Sequence, residues 1–316
     1  MLSRSQLRTV CNLAFVLVFL GGDAFLKAQT PTLAERLGYP KDAKLLIIHA
    51  DDLGMDYSID RASFEALENH LVSSASAMVP CPWFTEVVEF AKKHHNADIG
   101  LHLTLNSEWM TYRWGPMAPR EKVASLLDQE GYLYRLSPGT VEKGQATEVE
   151  REIRAQIDFA IRHGLHLTHL DTHEGTLLER QDFYAVFVKV AHEYRLPFNA
   201  NRAVLKSKGW QSMLSPRDIE QDAGLEVHEG TAPAPKHWKQ SYLRMLDEVK
   251  PGLTEMVVHL GYDCPELEAI TAGYNHHEAK WRQHDFDVVR STEFKEAIRR
   301  NRIFIITWRE IDRLLQ

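Results

Sequence analysis

The apolar positions of this chain fall into short continuous runs separated by stretches with a helical period. The run "KLLIIHAD" is followed by "SIDRASFEALENHL", which places Ile59, Ala62, Ala66 and Leu67 on one helical face. "VSSASAMV" and "DIGLHLTL" read as further strands, with the helix "WFTEVVEFAKKHH" between them. The most regular helix is "ATEVEREIRAQIDFAIRHG". Val149, Ile153, Ile157, Ala160 and Ile161 make its buried stripe, and Gly164 stands where a C-terminal cap belongs. Then follow the strand "HLTHLDTH", the helix "DFYAVFVKVAHEYR", the strand "PFNANR" and the shorter "LEVHEG". The chain closes with the helix "SYLRMLDEVK", the strand "EMVVHLG", the helix "STEFKEAIRR" and the strand "RIFIITW".

Continuously apolar strands alternating with amphipathic helices predict a parallel sheet covered by helices. Seven or eight such units suit an α/β fold with one distorted (β/α) barrel and a mostly parallel central sheet. No repeat, low-complexity tract or Gly/Ser linker divides it. The segment from Asn106 to about Gly144 fits neither period. It carries Trp109, Tyr112, Trp114, Tyr132 and Tyr134, and reads as a long insertion over one barrel mouth.

The first residues follow another pattern. Arg4 and Arg8 precede the apolar run "LAFVLVFL", and small residues lie near Ala28. This predicts a signal peptide over residues 1–28, a barrel domain over 29–316, and export to the periplasm or beyond. The apolar run is short for a membrane span of roughly 20 residues, so no stable span is expected after cleavage; an uncleaved anchor is the alternative. Removing Arg4, Arg8 and Lys27 together with Asp23 takes the formal charge from −7 to −9. An acidic chain without clustered cations makes a poor partner for nucleic acid. Cys81 and Cys264 are too few for a disulfide scaffold in a chain of 316 residues and read as small hydrophobes, with a pairing in an oxidising compartment as the alternative. A homodimer is compatible with all of this.

In barrels of this kind the chemistry gathers at the C-terminal ends of the strands. Asp51 and Asp52 end the first strand, His102 lies in "GLHLTL", His169, Asp171 and His173 in "THLDTHEG", and His259 in "VVHLG". One carboxylate and two imidazoles from separate strands make an oxygen and nitrogen donor set for a catalytic divalent ion with open positions for water. Histidines favour Zn2+, while the carboxylate and bound waters also suit Mg2+. An ion would offset the repulsion between two adjacent aspartates. One could bind it and the other take a proton from the bound water, with a histidine across the site to protonate a leaving group. Neighbours on a strand, the two should point in different directions. Taken singly, an Asp pair before Gly is also a turn or helix-cap signal, and a strand histidine is more often a core residue.

The order "ADDLG", "GLHLTL", "THLDTH", "VVHLGY" resembles the YdjC-type carbohydrate deacetylases, the chitooligosaccharide deacetylase family, from about Lys44 to the C-terminal strand. The resemblance implies a distorted (β/α) barrel that uses a divalent metal to remove acetyl groups from N-acetylated sugars. By motif it implies Asp52, His102 and His173 as metal ligands, Asp51 as base, and His259 as general acid or substrate contact. The chain departs from the pattern after His173, where Glu174, Gly175 and Thr176 follow, and at Leu260, where proline is usual. Around this core, His169 or Asp171 would orient the ligands by hydrogen bonding. Trp109, Tyr112 and Trp114 would offer faces to a sugar, and Arg202 would contact substrate or form an ion pair. The alternatives are another metal-dependent ester, amide or lactone hydrolase, and an inactive exported carbohydrate-binding protein. A glycosidase would need its two acids about 5–9 Å apart across a sugar.

Overall fold

Residues 30–227, 232–273 and 279–316 are described in the structure, a computed structural model. The signal-like segment and the end of "LEVHEG" lie outside them. Seven strands run parallel: β1 (Lys44–Leu53), β2 (Ser74–Ala77), β3 (Ile99–Leu103), β4 (Leu170–Thr172), β5 (Ala223–Leu225), β6 (Gly252–Val258) and β7 (Ile303–Ile305). Their order is β4-β3-β2-β1-β6-β5. β1 is the hub. One edge pairs with β6 from Lys44 to Ala50, and the other is divided between β7 at Lys44–Leu46 and β2 from His49 onward. The gap between β4 and β5 is spanned by two single bridges, Leu170 to Phe198 and Asn201 to Gln221. The sheet thus curls round on itself as an irregular barrel.

The expected strand "PFNANR" forms only those rungs. The side-chain oxygen of Asn201 accepts from the backbone N–H groups of Ala203 and Val204, which starts a helix over Arg202–Lys208 instead. A helix at Ala279–Val289 is one that the hydrophobic pattern does not predict. Arg282 and Asp285 lie buried among its apolar residues, so its stripe carries charge where the pattern expects hydrocarbon.

The two faces of β1 bury different things. Leu46, Ile48 and Ala50 join the main core with the helices Tyr57–Glu68, Phe84–Lys93 and Ala146–Arg162. Leu45 and Ile47 pack with Leu253, Ile306, Trp308 and Ile311, an apolar plug closed by the C-terminal helix Trp308–Leu315. Above the plug the interior turns polar. His49, Ser74, Ser76, His169, Asp171 and Glu255 are all at most 7% exposed. Gly100 makes room for this layer, because a Cβ there would stand 2.5 Å from the His169 ring. Barrel interiors are ordinarily filled by branched apolar side chains. Here only the bottom is.

Candidate metal centre at the barrel mouth

Strand alternation alone would turn Asp51 and Asp52 to opposite faces. The pairing of β1 with β2 slips at this point: Ala50 faces Ala75, but Leu53 faces Ala77, leaving three steps on β1 against two on β2. Asp52 takes up the extra residue with φ 64°. That is a β-bulge, the device that re-aims a side chain beside a functional site. Both aspartates therefore face the same histidine, with His102 Nε2 at 3.6 Å from Asp51 Oδ2 and 3.5 Å from Asp52 Oδ1. The expectation from simple alternation, that the two point in different directions, is corrected by this slip.

Asp52, His102 and His173 each bring a ligand atom within 4.8 Å of the others. Asp52 Oδ1 lies 3.4 Å from His173 Nδ1, and it is buried with no hydrogen-bond partner among the described residues. An unsatisfied buried carboxylate oxygen is costly. A tetrahedral ion with arms of about 2.1 Å holds its ligand atoms about 3.4 Å apart, so the donor set and its spacing fit one. Of the other atoms of the three residues, two are hydrogen-bonded and the third, His102 Nδ1, has a carboxylate oxygen close by. Arg282, wholly buried, donates to Asp52 Oδ2 at 2.8 Å. Asp171 Oδ1 lies 3.0 Å from His102 Nδ1, and Glu108 Oε2 is hydrogen-bonded to His173 Nε2 at 3.0 Å. A carboxylate behind each imidazole is how metal-binding histidines are commonly oriented.

Glu108 and Arg282 were missed by sequence reasoning. Glu108 lay hidden in the aperiodic segment after β3, and Arg282 in the helix whose period its own charge obscured. Of Asp171 and His169, it is Asp171 that lies beside His102. His169 instead stacks on Trp308 and bonds Thr168, away from the ligands.

The charges are divided unequally. Burial works against Asp52, but Arg282 and the two histidines outweigh it and hold its carboxyl well below the usual range. Burial and the neighbouring Asp52 push Asp51 well above that range. Two adjacent carboxylates pushed apart in this way are suited to different tasks, one to ligation and one to holding a proton. Burial lowers His259 to about 3; its Nε2 faces Asp51 Oδ2 at 3.5 Å and Glu226 at 3.7 Å.

A cavity of about 620 Å3 opens in front of these groups, with Asn199, Asn201, Lys208, Gln221 and Glu226 on its walls. The aromatic residues expected there are elsewhere. Trp109 and Trp114 are buried in the main core, and Tyr112 donates its hydroxyl to the carbonyl of Met55. Their rings pack on one another, with Trp114 against His173, and wall the site from behind. Arg202 likewise stands outside the cavity lining, half-exposed and ion-paired with Asp222 and Glu220. Cys81 and Cys264 are free thiols.

Fold and site together define a (β/α)-barrel protein with a candidate mononuclear metal centre and a carboxyl group poised beside it. The chain belongs to the YdjC-like protein family, whose profile matches residues 45–300. It is 26% identical to a carbohydrate deacetylase of Thermoanaerobacter pseudethanolicus over 84% of this chain and 98% of that one. It is 29% identical to a chitooligosaccharide deacetylase of Yersinia enterocolitica over 73% and 86%. Among solved structures, a candidate cellobiose-phosphate cleavage protein of Enterococcus faecalis V583 superposes with a TM-score of 0.71 at 25% identity, covering 84% of this chain and 98% of that one.

Proposed function

We propose that this chain is a metal-dependent carbohydrate deacetylase that removes the acetyl group from an N-acetylated sugar of the chitooligosaccharide kind. The observation that carries the reading is Asp51, with its raised affinity for a proton, beside the Asp52, His102 and His173 cluster at an open cavity. The names of the relatives supply the substrate class. A divalent cation held by Asp52, His102 and His173 supplies Lewis acidity and, when bound, lowers the pKa of water toward about 7. Imidazole donors favour Zn2+ for that role over Mg2+.

The chain's own residues do the rest. Asp51 takes the proton of the attacking water. His259 faces Asp51 and passes a proton to the departing amine nitrogen. Because burial keeps His259 neutral, that proton comes from Asp51, and the two act as one relay. Asp171 and Glu108 hold the imidazoles in place. Asn199, Asn201, Gln221 and Lys208 offer hydrogen bonds to sugar hydroxyls in a cavity that, among the described residues, has no aromatic lining. Export belongs to the same reading, on the strength of the signal-like residues 1–28. Among the described residues, no helix is long and apolar enough to cross a membrane.

Two measurements test it. Metal content by mass spectrometry should fall to background in Asp52→Ala and His173→Ala, and full occupancy in both would sink the ligand set. Acetate release should be faster from chitooligosaccharides than from acetylated xylan. The reverse order would turn the reading toward an esterase.

A further inference from the structure

Beneath the proposed ligands, His49, His169 and Asp171 also bring their ligand atoms within 4.8 Å of one another, and by distance alone they pass for a second metal site. The hydrogen bonds decide otherwise. A serine hydroxyl has one proton to give. Ser74 gives its proton to Asp98 Oδ1 at 2.8 Å, so at the 3.2 Å contact with His49 Nδ1 the histidine must be the donor. Ser76 gives its proton to Asp171 Oδ2 at 2.9 Å. His49 Nε2, 2.9 Å from Ser76 Oγ and 3.1 Å from that same Asp171 oxygen, must also donate. Both nitrogens carry hydrogen. The neighbouring ring resolves the other way. Thr168 gives its proton to Asp98 Oδ1 and so accepts from His169 Nδ1, leaving His169 Nε2 as a bare, buried acceptor.

We propose that His49 is a standing imidazolium, and that it is a positioning residue which, by holding Asp171 in place, sets the ring of His102 for the metal. Asp171 is the link. Its Oδ2 is occupied by Ser76 and His49, which leaves Oδ1 turned to His102 Nδ1. With a carboxylate oxygen 3.0 Å from Nδ1, the ring is turned so that His102 Nε2 faces Asp52, and a proton on the Asp171 side would leave that Nε2 as the lone pair. The groups facing His49 suit a cation. Asp171, the acid it touches, is held low by its histidines, while burial raises Asp98 and Glu255 behind it, and His169, edge-on at 5.1 Å, is a neutral ring. Burial works against charge on His49, yet the bond to Asp171 and these carboxylates raise its pKa above the ordinary histidine value. A ring with no lone pair to offer is a counterion to the polar interior and leaves no second metal site.

The proposal rests on the metal reading above, and the experiment separates their failures. In protein labelled with 15N-histidine, metal-free and metal-loaded, the His49 resonances are assigned by their loss in His49→Gln. Both ring nitrogens should show the protonated signature at pH 7.5, while His169 should show one protonated and one bare nitrogen. A bare nitrogen on His49 at pH 7.5 overturns the proposal. Zn2+ affinity is then read by chelator competition. His49→Gln should bind Zn2+ about 10- to 100-fold more weakly, and Asp171→Asn should lose a similar factor. The double variant should be little weaker than either, because both act through one bond. Wild-type affinity in His49→Gln overturns the positioning role alone. Failure of the wild type to bind Zn2+ or Mg2+ overturns the metal reading, and the positioning role with it.

Discussion

Asp51 and Asp52 are separated by one peptide unit, yet they have different neighbours. Arg282 and His173 lie against Asp52, His259 lies against Asp51, and His102 is shared between the two. The left-handed backbone at Asp52 makes this possible, a conformation that costs a non-glycine residue roughly 1–3 kcal/mol and persists where its surroundings dictate it. Aspartate is among the residues that tolerate it best. A consequence follows for Asp51→Asn. The substitution preserves shape, removes the like charge beside Asp52, and leaves the three ligands untouched. It should retain metal at wild-type stoichiometry while kcat falls by about 10²–10⁴, the usual worth of a positioned base. Mass spectrometry and acetate release on the same preparation check this. Full activity in Asp51→Asn would remove Asp51 from the relay, and loss of metal from that variant would make Asp51 a ligand.

At the scale of elements, legibility followed burial. The strands that carry Asp51, His102, Asp171 and His259 announced themselves because apolar residues sit on either side of the polar ones, and the alternation with helices marked the sheet as parallel. Two things hid the rest. Register is a property of two strands, so the slip between β1 and β2 that re-aims Asp52 leaves no mark on either sequence alone. Glu108 lies 65 residues from its partner His173 and Arg282 lies 230 from Asp52, inside segments whose pattern their own charge disturbs. The aromatic segment after β3 shows the converse: tryptophans suggested a sugar surface, but Trp109 is fully buried and Trp114 nearly so. Their work is packing behind His173. Trp109→Ala should therefore cost about 3–5 kcal/mol of stability by opening a cavity in the core, read as a shift in the urea midpoint. A variant of wild-type stability with a raised KM would restore the sugar-platform assignment.

The whole molecule is tiered, with an apolar plug at the bottom, a hydrogen-bonded polar layer above it, and a mouth lined by charged groups. Such an interior makes folding depend on pH, and Asp285 gives the clearest case. It is wholly buried, accepts from Trp238 Nε1 and Tyr242 Oη at 2.7 Å and from the His259 backbone at 3.0 Å, and so ties two helices to the end of β6. Burial nonetheless outweighs those bonds and raises its pKa to about 6, against 3.8 for the ordinary carboxyl. Well below pH 3.8 the group is protonated folded or unfolded and makes no difference. As pH rises toward 6 the unfolded chain releases its proton first, so stability is lost through that window and levels off above it. The size is about 3 kcal/mol, since each tenfold difference in proton affinity between the folded and unfolded chain is worth roughly 1.4 kcal/mol. Asp52 and Asp171 are displaced the other way and act below pH 4, while the lowered His259 and His169 oppose the slope between pH 4 and pH 6 in wild type and variant alike. Asp51 is raised too and adds to the same slope. Asp285→Asn cannot titrate. Whatever fixed cost its mismatched hydrogen bonds bring, metal-free Asp285→Asn should lose less stability between pH 4 and pH 6 than metal-free wild type. Urea midpoints across that range measure the difference, and parallel curves for the two proteins would mean that Asp285 ionises inside the fold as freely as outside it.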